Sequence, residues 1–164
     1  MLKRRFKITW LIVITGACTI VWAQRNRPEA NTVLVNQVKA HMRRYVGLAN
    51  QGRTDVIAKE IYETPILMIP FESPQHRVQN SATDFRQEFD EHLSRLKSQD
   101  WKQFKVHRLD VRSVGKDLAF VDMHFVWLKT NGQAIGPAHR VASYVLSKKK
   151  HGWRIIAVMG NRKA

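Results

Sequence analysis

Leu34, Val38, Met42, Tyr45 and Ala49 recur at steps of three and four residues, the spacing of a single apolar stripe on an α-helix. Gly52 follows, a residue able to take the left-handed conformation that stops a helix. Thr54 offers an N-cap for a short second helix through Ile57 and Ile61. The run "TPILMIPF", residues 64–71, breaks this rhythm. It is apolar throughout and bracketed by Pro65 and Pro70, which predicts a buried strand near a sheet edge. A loop containing "ESPQ" leads to Ser81, which with Asp84 makes a capping box for a third helix. That helix carries Phe85, Phe89, Leu93 and Leu96 in helical register.

From Gln103 onward the pattern becomes that of strands. Gly115-Lys116, Asn131-Gly132 and His151-Gly152 divide the remainder into four extended segments, and Asn-Gly between two such runs is a strong hairpin signal. The last segment, "WRIIAVM", is expected to place Trp153, Ile155, Ala157 and Met159 on one face. Helices first and an antiparallel meander afterwards predict an α+β domain.

The amino terminus follows other rules. Lys3, Arg4, Arg5 and Lys7 precede an uncharged run from Ile8 to Ala23, the layout of a secretory signal over residues 1–23. The run is shorter than the ~20 apolar residues of a spanning helix. Export with cleavage is therefore the preferred reading, to the periplasm or the medium, and a retained membrane anchor is the alternative. Residues 24–30 are polar, contain Pro28 and read as a tether, which leaves 31–164 for one domain. Cys18 is the single cysteine and lies in the targeting segment, so the domain is expected to have neither a disulfide nor a thiolate.

The formal charge of the chain is +15, and after Ala23 it is +11, from 24 Lys and Arg against 13 Asp and Glu. The basic residues are scattered apart from Lys148–Lys150, beside a turn. Export and this scatter favour a basic surface that touches anionic envelope material over a nucleic-acid-binding one.

The order of elements, with "DLAFVDMHFVWL" and the closing "KKKHGWRIIAV", resembles the nuclear transport factor 2-like (NTF2-like) superfamily. The resemblance spans nearly all of residues 31–161. It implies a cystatin-like curved antiparallel sheet wrapped around three N-terminal helices, a conical cavity, and a homodimer. "RYVGLANQG" is similar to a stretch of the ketosteroid isomerase-like (SnoaL-like) branch, and Tyr45 falls on the tyrosine that donates to a developing oxyanion. The position of the general-base aspartate falls on Ile69, which cannot take a proton, so isomerisation by that route is not expected. The protonated acid of the same oxyanion hole lands near His139.

The same resemblance turns Asp122, His124 and Val126 toward the cavity. Burial alone argues the reverse, because Val121, Met123, Phe125 and Trp127 form the wholly apolar face. A dimer covering the outer face reconciles the two, and the even-numbered face is taken as the inner one. A two-residue loop at Asn131-Gly132 would pair Thr130 with Gln133 and set His124 across from His139, near enough to share a proton. Asp122 would raise the basicity of either imidazole, as acid-base work near neutrality requires.

Taken singly, each residue also has a structural reading. His124 then bonds a carbonyl, Asp122 pairs with an arginine, and Tyr45 is a core aromatic. No metal is expected, since the cluster lacks a recognised ligand spacing, and no cofactor is expected. The preferred function is binding of a small apolar or amphipathic molecule, in a pocket drawn from Tyr45, Met68, Phe89, Val126, Trp153 and Met159. The alternatives are a lyase or isomerase using Tyr45, His124, His139 and Asp122, and a structural component of an envelope or secretion assembly.

Overall fold

The structure, a computed structural model, describes residues 28–69 and 75–160. The expected signal segment and residues 24–27 of the tether lie outside the described residues. The chain divides into two compact units at Leu34/Val35. The described part of the first unit, residues 28–34, is the opening of a helix. Apart from that opening, all that follows concerns the second unit.

Among the described residues, three helices and six strands follow in order. They are α1 (Pro28–Asn50), α2 (Thr54–Val56), β1 (Tyr62–Ile69), β2 (Arg77–Gln79), α3 (Ala82–Lys97), β3 (Trp101–Val114), β4 (Leu118–Lys129), β5 (Arg140–Lys149) and β6 (Gly152–Gly160), with a π-helical stretch at Ile57–Ile61 after α2. The strands form one sheet in the order β2-β1-β6-β5-β4-β3. β1 runs parallel to β6 and every other pair is antiparallel, so the sheet is mixed rather than purely antiparallel. The α+β class stands.

Local chemistry accounts for most boundaries. The stripe of α1 is buried at Val38, Met42, Tyr45 and Ala49. Gly52 sits at φ +69°, and the Arg53 N–H bonds back to the Leu48 carbonyl at 2.9 Å, which closes the helix end. Ser81 caps α3 by accepting from the Asp84 N–H at 3.1 Å, and Phe85, Phe89, Leu93 and Leu96 are all buried. Three local expectations fail. Pro28–Ala30 open α1 instead of belonging to the tether, and proline suits a first helical turn because the missing N–H would have no partner there. Thr54 is the first residue of α2 rather than its cap. Arg77–Gln79, read as loop, form the edge strand β2.

Bulges fix which side chains point inward. Val106 pairs with Phe125 and Arg108 with His124, so His107 is one residue extra on β3. Val145 pairs with Ala157 but Leu146 with Ile155, which makes Ile156 the extra residue on β6. An extra residue of this kind bends a strand and reverses its alternation. Trp153 and Ile155 therefore share one face while Ala157 and Met159 share the other. The expectation of a single face for all four does not hold.

The core lies between the sheet's apolar face and the helices. Its largest fully buried side chains include Met42, Ile57, Ile61, Phe85, Met123 and Phe125. Asn50, the last residue of α1, ties the helix to β3. Its amide donates to the Phe104 carbonyl at 3.1 Å, and its oxygen accepts the Phe104 N–H at 2.7 Å.

His41 on α1 lies 3.4 Å from the Ile61 carbonyl through Nε2. Desolvation lowers its pKa from 6.5 to about 4; the carbonyl bond partly opposes this, and Arg154 and Arg44 add to it. The folded protein thus binds this proton later than the unfolded chain as pH falls. The associated stability is complete above pH 6.5 and is lost between there and about pH 4, on the order of 3 kcal/mol at most. Urea unfolding across this range is expected to show a flatter stability profile for His41→Gln than for the wild type. Parallel profiles would disprove the linkage.

Candidate functional site

A cavity of about 160 Å³ lies between α1, α3 and the apolar face of the sheet. Met123, Phe125 and Trp127 of β4 line it, with Tyr144 of β5, Val158 and Gly160 of β6, and Met68 and Ile69 of β1. The odd-numbered face of β4 is therefore the inner one, and the expectation that Asp122, His124 and Val126 point inward is corrected. Burying that face removes Val121, Met123, Phe125 and Trp127 from water together, at about 1.5–3 kcal/mol for each large side chain.

At one end three tyrosines meet. Tyr45 packs edge-on against Tyr62 and Tyr144, with ring centroids 5.7 and 6.0 Å away. Its hydroxyl is hydrogen-bonded to both of theirs. Burial raises all three pKa values. The bonds from Tyr62 and Tyr144 pull Tyr45 partly back down, while the outer two stay well above the usual phenol range. Of the three, Tyr45, which both neighbours contact, is thus the least raised.

The cavity has a polar side as well. Glu88, His92 and Arg95 occur at steps of four and three residues along α3, and all three line it, as does Arg77 of β2. Arg77 pairs with Glu88 at 3.5 Å, and Gln79 also donates to Glu88. His92 packs 5.3 Å from Trp127 and 6.4 Å from Phe89 between ring centroids. Sequence reading passed over this row, although its spacing beside Phe89 was a usable signal. It likewise missed Tyr62 and Tyr144, because no local pattern links them to Tyr45.

Each predicted residue has a definite place. Tyr45, Met68 and Phe89 line the cavity; Val126, Trp153 and Met159 do not. Val126 is buried on the opposite face, across from Lys105. Trp153 is buried at the turn end of β6, with the Lys148 ammonium 6.0 Å from its ring centre. The Ile156 bulge carries Met159 to the outer face.

His124 and His139 do meet, but outside the cavity. Nδ1 of His124 is 3.0 Å from Nε2 of His139, and the rings stack at 5.2 Å. The other nitrogen of His124 is 3.0 Å from Asp110 Oδ2 and 3.0 Å from an Arg108 amine. Asp122 takes no part; it accepts from Ser143 at 2.5 Å. The route to this pairing also differs from expectation. Lys129 bonds to Gln133 around a three-residue loop, with Gly132 at φ +84°. The ladder resumes beyond Gly136-Pro137 out of step, so His124 pairs with Val141, and His139 reaches it from the segment before β5. Among the described residues, no group of three His, Cys, Asp or Glu side chains is placed to hold a metal ion.

The six-stranded sheet, the three helices and the cavity between them define a cystatin-like α+β protein. The sequence matches the NTF2-like protein family DUF6841 over residues 34–163, and the chain belongs to that family. It is similar to a Nostoc punctiforme domain of unknown function with a cystatin-like fold (TM-score 0.63, 17% identity, 85% of this chain and 80% of that one). It is also similar to a Catenulispora acidiphila protein solved with S-DNPA (0.62, 14%, 79% and 92%). A third likeness is to a candidate dehydratase of the NTF2-like family from Streptomyces avermitilis (0.63, 13%, 81% and 98%). Identities this low show the fold alone. No curated protein matches the sequence.

The tyrosine cluster makes an asymmetric prediction. Tyr45→Phe removes the hydroxyl that both Tyr62 and Tyr144 bond to, whereas Tyr144→Phe leaves Tyr45 bonded to Tyr62. Urea unfolding is expected to show a cost of about 1–3 kcal/mol for Tyr45→Phe and clearly less for Tyr144→Phe. Equal costs would mean that Tyr45 is not the shared partner.

Proposed function

We propose that this domain binds a small amphipathic molecule in the cavity and does not turn it over by the isomerase route. One observation carries the reading: Ile69 lines the same cavity as Tyr45. The site therefore offers a phenol proton to a ligand oxygen, with an aliphatic side chain where the related isomerases hold their base. A binding pocket needs apolar walls and a few aimed polar groups, and this one supplies both. A lyase reading would have to run through His92, the imidazole that lines the cavity, rather than through His124 and His139. The Streptomyces neighbour is named for such chemistry, which keeps His92 as the variant to examine.

The protein is read as exported, on its amino-terminal pattern, and as a homodimer. Support for the dimer comes from the outer sheet face, where Leu67 pairs across the strands with Val78, and both are exposed. A two-fold copy laid on that face would cover them.

A ligand present at a hundredfold excess over its dissociation constant is expected to add about 2.7 kcal/mol of stability, visible as a raised melting temperature. Tyr45→Phe should weaken the same ligand. A broad thermal-shift screen of small amphipathic compounds without a hit would count against the binding reading. Turnover abolished in His92→Gln would replace it with the lyase. For the dimer, sedimentation is expected to give twice the monomer mass for the wild type and a monomer for Val78→Asp with Leu67→Asp. A wild-type monomer at tens of micromolar would end that part.

A further inference from the structure

The polar row on α3 narrows the ligand class, an inference that rests on the cavity being a binding site. Glu88 is already matched by Arg77 and Gln79. Two residues beyond Leu93, Arg95 is different. Its backbone carbonyl accepts from Ser98 and Gln99, but among the described residues no carboxylate pairs with its guanidinium. Among the described residues, the cavity wall thus carries one guanidinium without a paired carboxylate, on a side chain that reaches solvent.

α3 also serves as a ruler. Phe85 packs tilted against Tyr62 at 4.3 Å between ring centroids and Phe89 lies 6.3 Å from Tyr45, so the tyrosines sit beside this stretch of the helix. Arg95 follows Phe89 by six residues, about 9 Å along the axis. Between them the walls are aromatic: Phe89, Phe104, Phe125 and Trp127. The volume, about 160 Å³, is that of a one-ring occupant, since an engineered apolar cavity of ~150 Å³ takes up benzene.

From this spacing we infer that the cavity is built for an aryl-alkyl carboxylate bearing a para oxygen. Its carboxylate pairs with Arg95 at the mouth, its ring lies among the aromatics, and its oxygen accepts the Tyr45 proton. The guanidinium fork suits a carboxylate better than a point charge does.

The test uses 3-(4-hydroxyphenyl)propanoate, its methyl ester and 3-phenylpropanoate, with binding to the full chain measured by calorimetry. The acid is expected to bind about three- to tenfold more tightly than the ester, a margin that shrinks as salt is added. Arg95→Gln should bring the acid down to the ester's level without changing the ester, while Lys97→Gln, one turn-fraction away and outside the cavity, should change neither. The compound without the para oxygen should bind more weakly than the acid, and Tyr45→Phe should erase that difference. If the ester binds as well as the acid, the anionic class is wrong and the cavity reading survives. If Lys97→Gln acts like Arg95→Gln, general surface charge is responsible and the assignment to Arg95 fails. If none of the three compounds binds, this inference is overturned, and a broad screen that also finds nothing would take the cavity reading with it.

Discussion

Which face of β4 meets the helices is the constraint from which the rest follows. Val121, Met123, Phe125 and Trp127 are each large and apolar, and all are buried. Their alternates, Phe120, Asp122 and His124, include two polar groups that stay hydrated or hydrogen-bonded on the other side. A strand cannot move one side chain inward without moving every second one with it. Once the odd face is buried, the cavity acquires its aromatic walls, and the two histidines are carried away from it.

The tyrosine cluster depends on that decision as well. Tyr144 pairs with Val121 across β4 and β5 and so shares the inner face. There it meets Tyr45 from α1 and Tyr62 from the start of β1. Three hydroxyls in an apolar surround satisfy one another, and so their burial is tolerable. The arrangement also gives the cavity a polar end instead of a wholly apolar wall. Bulges at His107 and Ile156 refine the picture by choosing which residues near the strand ends look in.

The outer cluster shows how proximity and function separate. His124 and His139 lie at hydrogen-bond distance, with Asp110 on the far nitrogen. Those are the parts of an acid-base device, yet they sit on an exposed sheet surface with Arg108 beside them. Without a concave wall to hold a substrate and exclude water, such a group has nothing to act on. The pair is better understood as a polar staple between β4 and the segment that enters β5.

Much of the architecture was legible along the chain. The stripes of α1 and α3, the Ser81 cap, the Gly52 stop and the four later strands are all consequences of local spacing, which neighbouring residues enforce on their own. Tyr45, Met68 and Phe89 on the cavity wall could be reached the same way. Other features could not. The parallel pairing of β1 with β6, the bulges and the slip after Gly136 depend on partners far apart in sequence, and each shifts the facing of several side chains at once. That is why Val126, Trp153 and Met159 were misplaced, while Tyr62, Tyr144 and the Glu88–His92–Arg95 row joined the site only when the chain was folded. Periodicity in one strand tells which residues travel together; only the packed sheet decides where they go.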